Sequence, residues 1–279
     1  MMATTIYLAF VGLILTFSTS WVVGSAYASV SSTAPVASFV AIDHGFQGPD
    51  TLRAGLTTLR LHNRGREPHQ LQLLKLTEGK SPGDLAASLR GPHAQVPHWA
   101  KHMGGPNGVG SGETAEATVY LEPGTYVIIC AIPTKEQQLH AAVGMQKTLQ
   151  VIGGGSPGQD FIGNVHMAMF DFEFVVVQNM RRGEQTFYVV NRGNQTHQVS
   201  LVQLDSGASP EDMLAAFGKP PAPLPGKLLG GMASLEPGGR GMFTASLAPG
   251  RYAMMCLFPN PTSHDNHAAK GMVMNFTIE

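Results

Sequence analysis

One feature constrains this chain more than any other: it is written twice. Asp43-His44-Gly45-Phe46 aligns with Asp171-Phe172-Glu173-Phe174, an offset of 128, and the register then holds without a gap for about 40 residues. Asn63-Arg64-Gly65 falls on Asn191-Arg192-Gly193, His69-Gln70 on His197-Gln198, and Ser81-Pro82-x-Asp84 on Ser209-Pro210-x-Asp212. Further on the offset is 126, with Gly104-Gly105 on Gly230-Gly231, Leu121-x-Pro123-Gly124-x-Tyr126 on Leu247-x-Pro249-Gly250-x-Tyr252, and Cys130 on Cys256. At 127, His140-Ala141-Ala142-x-Gly144-Met145 meets His267-Ala268-Ala269-x-Gly271-Met272. A chain of 279 residues built this way is expected to hold two copies of one domain of roughly 110 residues. The expected bounds are 36–152 and 161–279, joined by a Gly-rich linker at 153–160.

Within each copy, short β-branched or alternating runs are separated by Gly, Pro and Asn turns. Leu56 to Leu61, Leu71 to Leu76, Tyr126 to Ile129, Thr148 to Ile152, Phe187 to Val190 and Val273 to Ile278 read as strands. Each copy carries one helix signal, an N-cap Ser followed by Pro and an acid three residues on, at Ser81 and Ser209. The fold class expected is all-β, a β-sandwich in each half with one short inserted helix.

The first 28 residues read as a secretory signal peptide. Ile6 to Leu15 is apolar, and Ala26-Tyr27-Ala28 gives a small-x-small pattern before Ser29. No Lys or Arg precedes Arg53, so an uncleaved membrane anchor is the alternative. Either way the rest of the chain is expected outside the cytoplasm, in a periplasmic or extracellular setting. Only 13% of residues are charged, about half the usual share, and the net charge is −1. That excludes the basic surface a nucleic-acid partner requires.

Chemistry concentrates at four matched positions. Each copy has one His after an Asn-Arg-Gly turn (His69, His197), one Cys ending a Pro-Gly-x-Tyr strand (Cys130, Cys256), and a His and a Met five apart (His140 and Met145, His267 and Met272). A soft thiolate, two imidazoles and a weak thioether make the donor set of an electron-transfer copper site. Thiolate suits Cu(I), imidazole suits Cu(II), and a distant Met leaves a trigonal geometry that serves both. His264 is a rival to His267, which alone keeps the His-x-x-x-Gly-Met spacing. A Cys130–Cys256 disulfide is disfavoured, because equivalent loops of tandem domains need not face each other.

With Asn-x-Gly-x-x-x-His, Pro-Gly-x-Tyr-x-x-x-Cys and His-x-x-x-Gly-Met in that order and twice, the chain resembles a two-domain cupredoxin of the blue copper family, from about Val36 to Glu279. The resemblance implies Greek-key sandwiches and one or two coppers. His69, Cys130, His140 and Met145 would hold the first, and His197, Cys256, His267 and Met272 the second. It departs from the small blue proteins in the loop before the second His, which has nine residues after Cys130 and ten after Cys256. Longer loops are expected to hold that imidazole less rigidly.

Oxidases and nitrite reductases of this family flank the Cys with His. Here Cys130 lies between Ile129 and Ala131, and Cys256 between Met255 and Leu257. The expectation is therefore a non-enzymatic exported carrier, passing single electrons to and from a redox partner protein. The alternatives are a copper-delivery protein exchanging metal with a donor or acceptor, or a structural sandwich pair with vestigial sites. His93, His98 and His102 read as surface loop, and His166, Met167 and Met169 as strand-start packing.

Overall fold

A computed structural model describes residues 34–90, 95–154, 161–217, 223–260, 262–263 and 265–279. The expected signal peptide, most of the linker, His93 and His264 lie outside the described residues.

In the first half the strands are β1 (Val36–Ile42), β2 (Gly45–Gln47), β3 (Thr51–Arg53), β4 (Gly55–Asn63) and β5 (Gln72–Leu76). Helix α1 (Pro82–Ser88) follows, then β6 (Ala100–His102), β7 (Thr114–Leu121), β8 (Gly124–Ile129) and β9 (Gln146–Ile152). The second half repeats the order with β10 (Val165–Phe170), β11 (Glu173–Val176), β12 (Gly183–Asn191), β13 (His197–Leu204) and α2 (Pro210–Phe217). It ends with β14 (Gly226–Leu235), β15 (Arg240–Leu247), β16 (Gly250–Met255), a 3-10 turn at His267–Lys270 and β17 (Val273–Ile278).

Burial alternates along β4 and β12, so one face of each meets the core. Along β5 and β13 nearly every residue is buried. Leu73 points into the main core while Leu74 packs with Leu85 of α1, so the helix covers the second face of that sheet. Met213 of α2 does the same beside Val202 in the second half. The helices start where the sequence signals them. Ser81 and Asp84 form a complete capping box, and Ser209 and Asp212 exchange the same two contacts.

The two halves share one sheet. Its order is β11-β10-β12-β15-β7-β4-β1-β2, and each half adds its own second sheet, β3-β9-β8-β5-β6 in the first and β14-β13-β16-β17 in the second. The join is the antiparallel pair β7–β15, in which Ala117 lies opposite Phe243, its own counterpart in the repeat. Thr118 opposite Met242 and Glu116 opposite Thr244 are then mates about that point. A second crossing obeys the same rule: Pro106 meets Met232, its counterpart, and Met103–Leu235 and Val109–Leu229 are mates. Contacts that exchange in this way are those of an isologous twofold interface, built here within one chain.

The Gly-Gly pairs let each crossing segment lie close against the backbone of its own half. A Cβ at Gly105 would sit 2.2 Å from the Leu71 carbonyl oxygen, and one at Gly231 2.0 Å from that of Val199. Both have positive φ, so only glycine serves there.

Candidate metal centres

Each half brings two imidazoles and a thiol together from separate elements. His69 precedes β5, Cys130 follows β8, and His140 closes the loop before β9. Their donor atoms lie within 4.8 Å of one another, and the same holds for His197, Cys256 and His267. Cys130 Sγ is 3.8 Å from His69 Nδ1 and 3.3 Å from His140 Nδ1. Cys256 Sγ is 3.8 Å from His197 Nδ1 and 3.6 Å from His267 Nδ1, and those two nitrogens are 3.0 Å apart. The paired rings are 4.8 Å apart in both halves, tilted 56° and 59°. All six residues are buried, and neither cysteine is in a disulfide.

Met145 and Met272 are fully buried beside these groups. The Met145 N–H donates to the His140 carbonyl at 2.9 Å, and the Met145 carbonyl accepts from the Cys130 N–H at 3.4 Å. Met272 makes the same two bonds with His267 and Cys256, at 3.0 and 3.2 Å.

The long loops do not slacken the second imidazole, contrary to expectation. Each loop is pinched by a bridge, between Pro133 and Leu139 in the first half and between Pro259 and Asn266 in the second. Below the pinch, the His140 N–H donates to the Ile132 carbonyl and the Ala141 N–H to that of Cys130. His267 and Ala268 repeat this with Phe258 and Cys256. Loop length therefore adds residues beyond the closure and leaves the Cys-to-His geometry unchanged.

Carboxylates fix the ring nitrogens. A carboxylate only accepts, so His140 Nε2 donates to Glu67 Oε2 at 2.9 Å and His197 Nε2 donates to Asp171 Oδ1 at 2.9 Å. Each ring then presents a bare Nδ1 lone pair to the thiol, the arrangement a metal ligand needs. Glycine makes room for the Asp171 contact. A Cβ at Gly193 would lie 2.4 Å from Asp171 Oδ1 and 2.7 Å from His197 Nε2. Gly65 plays the same part beside Asp43 and His69, although there the pair stands 3.6 Å apart and Asp43 turns to Arg66. The sequence reading missed Glu67, Asp43, Asp171 and the two glycines. All but Glu67 are identical between the repeats, and that identity was the available signal.

Burial sets the titration. It lowers His69 and His267 to about 4, with repulsion from the partner imidazole adding to it. Burial pushes both thiols up to about 12, against the pull of N–H donors from Gln70 and Ile132 at Cys130 and from Gln198 and Phe258 at Cys256. For Asp171, burial works upward, but hydrogen bonds from His197, Gln195 and Asn194 outweigh it and hold the carboxyl below its usual range.

A buried thiol denied ionisation beside the bare Nδ1 of His140 or His197 is an arrangement that a bound cation converts into ligation. Two imidazoles and a thiolate make a donor set that copper takes. The two groups are the His and Cys positions that the resemblance to two-domain cupredoxins implies, and they fit copper, one or two per chain.

No protein-family model and no curated protein sequence matches this chain. Solved structures similar to it include auracyanin A, a blue copper protein from Chloroflexus aurantiacus, at 21% identity and TM-score 0.31, over 43% of this chain and 100% of that one. A multicopper oxidase aligns over 88% of both chains at 12% identity and TM-score 0.26. A copper-containing nitrite reductase from Thermus scotoductus SA-01 aligns over 88% of this chain and 61% of that one, at 13% and 0.25. The expectation of a non-enzymatic protein is corrected on this point. The structures that align over 88% of this chain include a multicopper oxidase and a copper-containing nitrite reductase.

The two centres differ in their surroundings. His69 and His140 line a cleft of about 600 Å³ with Glu67 and Lys135. His267 instead meets the edge or face of two aromatic rings, Phe172 at 5.2 Å and Phe258 at 6.0 Å. His102, expected on a surface loop, is the last residue of β6, and its Nδ1 lies 3.1 Å from Glu236 Oε1 of the other half. Met167 and Met169 pack in the core from β10, as expected.

Proposed function

We propose that this chain binds copper through His69, Cys130, His140 and Met145, and through His197, Cys256, His267 and Met272, and that it exchanges single electrons with a redox partner outside the cytoplasm. Copper in such a donor set supplies a one-electron Cu(II)/Cu(I) couple. The observation that carries the reading is the pair of buried Nδ1, Sγ, Nδ1 triangles. Glu67 holds the tautomer of His140 and Asp171 that of His197, the pinched loops hold the ring positions, and burial keeps water from the thiols. Little has to move when charge changes. Met145 and Met272 would add a weak thioether ligand to each copper, and the domains would run 36–152 and 161–279. Export rests on the leader pattern; among the described residues no helix is long and apolar enough to cross a membrane.

Reconstitution with Cu(II) tests the proposal. Strong visible absorption from thiolate-to-copper charge transfer is expected, bleaching reversibly with a reductant. Each thiol must lose its proton, so uptake at neutral pH releases about one proton per copper. Cys130→Ser and Cys256→Ser should each remove one copper equivalent and its share of the colour. Tight colourless Cu(I) binding would point to delivery, and no stoichiometric copper would end the metal reading. Oxygen or nitrite consumption by the loaded protein tests for turnover.

A further inference from the structure

A cavity of about 1140 Å³ lies where the two halves meet. Its lining pairs repeat counterparts: Gln70 with Gln198, and Pro133 with Pro259. Gln70 and Gln198 each follow a ligand histidine, and both are more than nine-tenths buried. Among the described residues, the Gln70 side-chain amide makes no hydrogen bond, and Gln198 only accepts one from Ser234 Oγ at 3.4 Å, leaving its NH2 free. Gln72 differs: its amide is fully used, donating to the Leu73 and Ser234 carbonyls and accepting from the Ser234 N–H. Two primary amides at matched positions, each reaching the open space of one cavity, offer donors and acceptors to an occupant.

Charge selects the class of occupant. Among the described residues the lining includes no carboxylate and no lysine, and the guanidinium it includes, Arg90, is exposed. His102 is already paired with Glu236. Ile132, Leu139, Leu257 and Phe258 supply apolar wall between the amides. An ion would lose its hydration there without a counter-charge. A neutral molecule with an apolar body and a hydroxyl, carbonyl or amide at its edge would satisfy both glutamines.

We infer that this cavity is a binding site for a small uncharged organic molecule, ring-sized and hydrogen-bonding, held by Gln70 and Gln198 between the halves. The Gln70 and Gln198 backbone N–H groups donate to the two thiols, so an occupant sits one residue from each centre.

Binding of this kind needs no metal, so it is measured on the metal-free full chain, where failure of copper reconstitution does not affect it. Titration calorimetry with 4-hydroxybenzamide is expected to show saturable one-to-one binding, and the anionic 4-hydroxybenzoate none. Gln70→Leu and Gln198→Leu should each weaken the neutral probe about fivefold to tenfold, the loss of one hydrogen-bonding amide. Circular dichroism checks that each variant folds, and if one does not, the other carries the test. A cavity holding water only, seen as no saturable heat at millimolar probe, would overturn the inference. So would equal binding of the anion, or an affinity unchanged in the folded variants.

Discussion

At the scale of the residue, the centres are set by groups that never touch the metal. A histidine can present either nitrogen, and the acceptor behind it decides which one carries the proton. Asp171 does this for His197, and the absent side chain of Gly193 lets it come close enough. Gly193→Ala is expected to break that contact. Stability in urea should fall by about 1–3 kcal/mol, the cost of a buried polar group left unpaired. Copper retention against a chelator should fall about 10–100-fold, as when a partner behind a ligand is lost. Gly65→Ala should cost less, because Asp43 already stands 3.6 Å from His69. Equal losses in the two variants would show that the carboxylate contact is not what the glycine protects.

At the scale of the element, the short helices matter by covering a sheet face that the sandwich leaves open. Leu85 is fully buried against β5, so α1 must begin in register, and the Ser81–Asp84 box sets that start. Ser81→Ala should lower the urea midpoint by about 1 kcal/mol of stability with an unchanged slope, the usual cost of an N-cap. A changed slope would mean that α1 detaches rather than loosens. The buried tyrosines of the Pro-Gly-x-Tyr turns act at the same scale. Tyr126 and Tyr252 donate to the carbonyls four residues back, Glu122 and Ala248, and so tie each turn to the strand that carries the cysteine.

At the scale of the whole molecule, the halves are not beads on a string. One sheet runs through both, and the β7–β15 pair and the crossing near Pro106 and Met232 bind them together. The metal-free protein should therefore unfold in a single calorimetric transition. Phe187 is fully buried in the second half and stacks at 4.5 Å on Phe243, the residue at the twofold point. Phe187→Ala should cost about 3–5 kcal/mol and move that one transition down as a unit. Two separated transitions would show that the halves fold independently.

The sequence by itself determined the duplication, the strands, both helix starts and the eight positions where soft donors recur. These follow from local pattern: alternation, capping and turn residues act over a few neighbours, and a tandem copy repeats them in register. Tertiary structure alone decided three things. It joined the halves through a shared sheet about a twofold axis, because strand pairing between copies leaves no periodic mark in either one. It placed Glu67 and Asp171 behind His140 and His197, because contacts spanning 73 and 26 positions depend on how loops meet across a sandwich. It closed the long loops at their base, because a hydrogen-bonded pinch sets the geometry below it whatever the number of residues beyond.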